Sequence, residues 1–147
     1  MNGEIKRIGQ TLPLFRLDEN PYVGFSPFLH PGPPSAHFMP MGKLTTHVLD
    51  TVSGNPASGV HLQLYRGSEL LADTVTNADG RCDAPLLLDA IPGDYRLVFQ
   101  MGAYFRSQGV ASPFLNEVPI QFIIEAGRNY HVPLTCSPFS YSTYRGS

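Results

Sequence analysis

The sequence predicts an all-β fold, a sandwich of two antiparallel sheets. Three observations predict it. Glycine and proline each occur 14 times in 147 residues while charged residues make up only 15%, a balance that suits strands joined by turns. Several short runs alternate apolar and polar residues with a period of two. Turn-forming clusters separate those runs. Hydrophobic residues reach 42%, enough for one core, and the length favours one folded domain.

The organisation changes near residue 41. Residues 1–40 hold Pro13, Pro21, Pro27, Pro31, Pro33, Pro34 and Pro40 and no sustained period. Proline removes a backbone donor and restricts the residue before it, so this arm is expected to be irregular or disordered. Met41 opens MGKLTTHVLD, which reads as a natural start. Residues 41–147 are then the domain, and an extension packing on its surface is the alternative reading of the arm.

The strands follow in order. LTTHVLD sets Leu44, Thr46 and Val48 on one face and Thr45, His47 and Leu49 on the other. After the turn cluster SGNPASG, the run VHLQLYR puts Val60, Leu62 and Leu64 together. ELLADTVT is a third run, closed by the turn NADG, where Gly80 suits a positive φ. DYRLVFQM aligns Tyr95, Leu97, Phe99 and Met101. VPIQFIIEA aligns Val118, Ile120, Phe122 and Ile124, and YHVPLTCS is the last candidate. GAYFRSQG breaks the alternation and reads as a short helix of two turns. Six to eight short strands in about 105 residues suggest a two-sheet sandwich.

Several function classes find no support. The net charge of −2 comes with no basic run, so no nucleic-acid footprint is present. No apolar stretch nears the roughly 20 residues of a membrane span. Lys6 and Arg7 precede no long apolar segment, so a secretory signal is not expected. Cys82 and Cys136 read as free thiols in a reducing compartment, with the cytoplasm the expected location. Neither CxxC nor HExxH spacing occurs, so no metal site is expected. The acids near Gly80 fail an EF-hand frame, which would need Asp at Val75 and Glu at Leu86. No G-x-S-x-G marks a nucleophilic serine, and the few scattered acids do not suggest a carboxylate pair.

Three residues could carry chemistry. His47 sits on a strand, facing away from the core residues, either as a surface histidine or as a rigidly mounted base. Arg81 follows the NADG turn, either as a solvent charge or as a fixed guanidinium with paired donors for a carbonyl or a developing oxyanion. His131 in YHVPL also faces away from Val132 and Leu134. The ending SPFSYSTYRGS is aromatic for a chain end and reads either as a last strand or as a segment docked into a groove.

Four stretches match a known pattern in order: LTTHVLD at 44–50, TNADGRCDAPLL at 76–87, YHVPL at 130–134, and the terminal SPFSYSTYRGS. With them the chain resembles the 5-hydroxyisourate hydrolase branch of the transthyretin family over residues 41–147. YRGS is the most specific of these, because the hormone-carrier branch lacks it. The resemblance implies a prealbumin-like sandwich of two antiparallel four-stranded sheets with one short helix. It implies a homotetramer, a dimer of dimers, with sites in a channel where dimers meet. It implies a site made by His47, Arg81, His131, Tyr144, Arg145, Gly146 and Ser147. One departure stands out: the family's acidic residue before the helix aromatics is replaced in Gly102-Ala103-Tyr104-Phe105, which weakens a helix cap or charge pair.

The activity so implied is hydrolysis of 5-hydroxyisourate to 2-oxo-4-hydroxy-4-carboxy-5-ureidoimidazoline in urate breakdown. Water attacks a ring carbonyl and a C–N bond opens. His47 and His131 take the proton transfers, since an imidazole titrates near neutrality. Arg81 binds the ureide oxygens and the oxyanion. Tyr144 and Ser147 close the pocket, and the terminal carboxylate is expected to hold Arg145 or a histidine. This chemistry needs no metal or organic cofactor. A carrier that binds a small ligand without turnover is the alternative, because fold alone does not decide function.

Overall fold

The computed structural model describes residues 42–146. The arm expected over 1–40 and the terminal Ser147 lie outside the described residues. Within them the chain forms the predicted sandwich. The strands are β1 (Gly42–Asp50), β2 (Asn55–Pro56), β3 (His61–Arg66), β4 (Glu69–Val75), β5 (Leu87–Ala90) and β6 (Gly93–Gln100). The helix α1 (Met101–Ser107) follows, then β7 (Glu117–Ile124), β8 (Tyr130–Cys136) and β9 (Tyr141–Thr143). One sheet has the order β4-β3-β6-β7 and is antiparallel throughout. The other, which holds β1 and is the first sheet in chain order, runs β2-β1-β8-β9, with β5 also on β1.

The alternation read from the sequence is the core. Leu44, Val48, Val60, Leu62, Leu64, Leu97, Phe99, Met101 and Val118 are fully buried between the sheets. Burying one such side chain contributes about 1.5–3 kcal/mol. Thr46 points inward with them, and its hydroxyl donates to the Val132 carbonyl at 2.8 Å. Thr45, His47 and Leu49 face the other way and are half-buried.

The first sheet departs from the expected four antiparallel strands in two details. β1 and β8 pair in parallel, Leu44 with Tyr130 through Asp50 with Cys136. A parallel pair cannot be closed by a hairpin, and here the whole second sheet lies between the two in sequence. The free edge of β1 is shared by β5 at Gly42–Leu44, a bridge from His47 to Arg81, and β2 at Leu49 and Asp50. These pieces fill the place of one strand. They escaped the sequence reading because β2 is two residues long inside a turn cluster and β5 does not alternate.

The helix starts one residue earlier than predicted, so Met101 belongs to it rather than to the preceding strand. Its start has no side-chain cap and no acid in the first turn, as the sequence departure implies. The Gly102 N–H donates instead to the Asn116 carbonyl at 2.8 Å. A Cβ at Gly102 would lie 2.5 Å from Asn116 Oδ1, so the close approach requires glycine. Tyr104 ties the helix to β1 by donating its hydroxyl to Asp50 Oδ2 at 3.0 Å. No helix of the described residues is long and apolar enough to cross a membrane.

Candidate active site

The outer face of the first sheet carries the polar residues singled out from sequence, and strand register arranges them in two rows. Thr45 lies opposite His131 on β8, and His47 opposite Pro133. Beyond β8, Thr143 pairs with Leu134 and Gly146 bridges to His131. Both pairings belong to one register, which sets Tyr144 across from Pro133 and Arg145 across from Val132. One row therefore reads Thr45, His131, Gly146. The next reads Arg81, His47, Pro133, Tyr144, since Arg81 bridges to His47 on the far side. Residues two apart on a strand share a face, so both rows look outward.

Arg81 is placed by its turn. Asn77 Oδ1 accepts the N–H groups of Asp79 at 3.0 Å and Arg81 at 3.2 Å. Asn77 Nδ2 donates to Asp83 at 2.9 Å. Gly80 takes φ +72° there, and its carbonyl accepts the Val48 N–H at 2.8 Å. A Cβ at Gly80 would stand 2.5 Å from the Val48 carbonyl oxygen and 3.2 Å from the His47 ring. The turn thus sews Arg81 to the strand that carries His47.

Proline is rare in a central strand because it cannot donate to a ladder. Pro133 in β8 is tolerated for a reason that shapes the site. The His131 carbonyl faces β9, accepting the Gly146 N–H at 2.7 Å. The Val132 carbonyl faces β1, and that of Pro133 faces β9 again, where the Thr143 hydroxyl donates to it at 2.8 Å. The missing donor is therefore on the β9 side. Regular strand stops at Thr143, Tyr144 and Arg145 leave the ladder, and pairing resumes at Gly146.

His131 is the most constrained group. Its Nδ1 is hydrogen-bonded to Thr45 Oγ1 at 2.9 Å. Burial holds its pKa below the usual imidazole range, and the neighbouring Arg81 and His47 push it the same way. The two groups acting on His131 are the other two residues read from the sequence as catalytic. An imidazole so held is neutral at pH 7 and able to accept a proton. Thr45 was read only as a residue of the outer face; its partnership with His131 depends on a pairing across 86 positions.

The tail residues divide. Gly146 is against His131, and Tyr144 is exposed on the outer face. Arg145, across from an inward residue, instead lays its guanidinium over the Tyr130 ring at 4.9 Å. The expected hold on Arg145 by the terminal carboxylate concerns Ser147, outside the described residues. Among the described residues, neither of the two concavities is lined by His47, Arg81 or His131.

The family model described as "HIUase/Transthyretin family" matches residues 44–146. The chain belongs to this family. The 5-hydroxyisourate hydrolase of Pseudomonas aeruginosa is 53% identical over 118 residues, covering 74% of this chain and 94% of the relative. The solved structure of Klebsiella pneumoniae 5-hydroxyisourate hydrolase matches with TM-score 0.67 and 41% identity, over 73% of this chain and 100% of that one. Another family member, sea bream transthyretin in complex with thyroxine, matches with TM-score 0.65 and 32% identity, over 71% of this chain and 94% of that one. Both branches of the HIUase/Transthyretin family thus share the fold, and the hydrolase branch is nearer in sequence.

Proposed function

We propose that this chain hydrolyses 5-hydroxyisourate to 2-oxo-4-hydroxy-4-carboxy-5-ureidoimidazoline, a step of urate catabolism, and that His47, Arg81 and His131 do the chemistry. The observation that carries the proposal is the convergence of these three groups on one sheet face, with the pKa of His131 lowered by burial first and then by the other two. The neutral imidazole takes a proton from water as the oxygen attacks a ring carbonyl carbon. The new C–O bond leaves an oxyanion, which the Arg81 guanidinium faces. Collapse breaks the ring C–N bond, and the nitrogen leaves with a proton from a histidine. Each step uses side chains of this chain and water alone.

Tyr144, Gly146 and Ser147 complete the substrate cavity in this reading. Arg145 supports the tail through Tyr130. His47 and His131 are half-buried and Arg81 is exposed on this face, and a second copy set against it encloses the substrate beside them. We propose a homotetramer, a dimer of dimers, in which outer faces of the first sheet meet. The free thiols Cys82 and Cys136 fit a reducing compartment such as the cytoplasm.

The test uses freshly made 5-hydroxyisourate, generated from urate by urate oxidase. The chain accelerates its decay, and His47→Ala or Arg81→Ala loses most of the acceleration while the assembly mass stays that of a tetramer. A protein that binds the substrate or thyroxine without turnover is a carrier, and the hydrolase reading then fails.

A further inference from the structure

We propose that Thr45 is a positioning residue for His131 in the hydrolysis assigned above, on which this inference rests. The geometry is a clamp across one row of the sheet. On the β1 side, Thr45 Oγ1 holds Nδ1 of the ring at 2.9 Å. On the β9 side, the ring presents Cδ2 to Gly146, where a Cβ would stand 2.6 Å away. Nδ1 and Cδ2 flank the atom that joins the ring to its stem. With both flanks occupied, Nε2 is on the ring edge away from the stem, free to meet the substrate of the proposed reaction. The strand register delivers this arrangement, because Thr45 and His131 are direct partners in the parallel pair.

A hydroxyl suits this place for a chemical reason. While the imidazole is neutral, its Nδ1 either donates or accepts, and a threonine hydroxyl serves in both roles. Once Nε2 has taken the proton of water, Nδ1 must donate, and the same hydroxyl accepts. Thr45 therefore keeps the ring in place through the whole proton cycle. A carboxylate there would favour the charged ring and oppose the effect of Arg81 and His47. The neighbouring Thr46 cannot substitute, because it faces the core and bonds the Val132 carbonyl.

The experiment compares Thr45→Val, Thr45→Ser and the unchanged full-length chain. The valine keeps the shape and removes the hydroxyl. Two quantities are read: kcat and KM for 5-hydroxyisourate, and the 15N resonance of His131 Nδ1 without substrate. In Thr45→Val, kcat is expected to fall about 10- to 100-fold, as for a misplaced reacting group, with KM nearly unchanged. The Nδ1 resonance moves, and Thr45→Ser restores both. Unchanged kcat and resonance in Thr45→Val overturn the proposal, as does failure of serine to restore them. If the valine variant does not fold, Thr45→Ser and Thr45→Ala carry the same comparison. An unchanged chain inert toward 5-hydroxyisourate defeats the hydrolase reading, while the resonance still decides the Thr45 contact.

Discussion

Gly146 donates its N–H to the His131 carbonyl at 2.7 Å, and a single methyl group at Gly146 would come within 2.6 Å of the His131 ring. Glycine in the YRGS ending is thus a requirement of contact with the imidazole. Gly146→Ala is expected to push the ring or the tail aside. Activity falls about 100-fold if the displacement nears 1 Å, while circular dichroism shows an intact sandwich. Steady-state kinetics beside the spectrum checks this.

Pro133 separates the tail from a continuous ladder. Pro133→Ala restores the N–H that faces β9, so regular pairing is expected to run on through Tyr144. Amide exchange should then show new protection at residues 133 and 144. Tyr144 becomes pinned, and kcat falls while thermal stability holds or rises. Unprotected amides there would show that the proline does not break the ladder.

With His131 as the proposed base, its protonation is expected to set the acid limb of the activity. Burial first, then Arg81 and His47, lowers its pKa. The neutral ring therefore survives to lower pH than a free imidazole, and activity is lost as pH falls through the lowered value. Arg81→Gln removes one repelling charge, so the His131 pKa rises. An NMR titration of His131 in this variant should show its midpoint at higher pH than in the unchanged chain.

Asp50 holds the far end of β1. Burial alone would raise its pKa, but the N–H groups of Ser53 and Val52 and the Tyr104 hydroxyl outweigh it and hold the carboxyl low. Burial, and then the same contact, push Tyr104 up to about 12. A lowered folded pKa gives stability that is present above the unfolded value of 3.8 and is lost as pH falls through the folded one. Asp50→Ala also strands the Tyr104 hydroxyl, at a cost of about 1–3 kcal/mol. Thermal melts at neutral and acid pH should differ less in Asp50→Ala than in the unchanged chain.

Much of this was legible in the sequence. Period-two alternation identified the inward faces of β1, β3, β6 and β7, and put His47 and His131 on outward faces. Alternation is a local property, so it could not say that β1 and β8 lie side by side in parallel. That pairing joins Thr45 to His131 and brings the two histidines onto one surface. Nor could it place Arg81, whose bridge to His47 replaces a strand that the edge lacks. The opposite facing of Arg145 and Gly146 follows only once the register of β9 is known.

The most direct test of the account is turnover by His131→Asn beside the unchanged chain, both supplied with freshly generated 5-hydroxyisourate. The unchanged chain is expected to speed decay in proportion to its concentration. The variant, folded and assembled alike, should be slower by about 100-fold or more, the share of a positioned general base. A variant as fast as the unchanged chain would contradict the assignment of chemistry to this face.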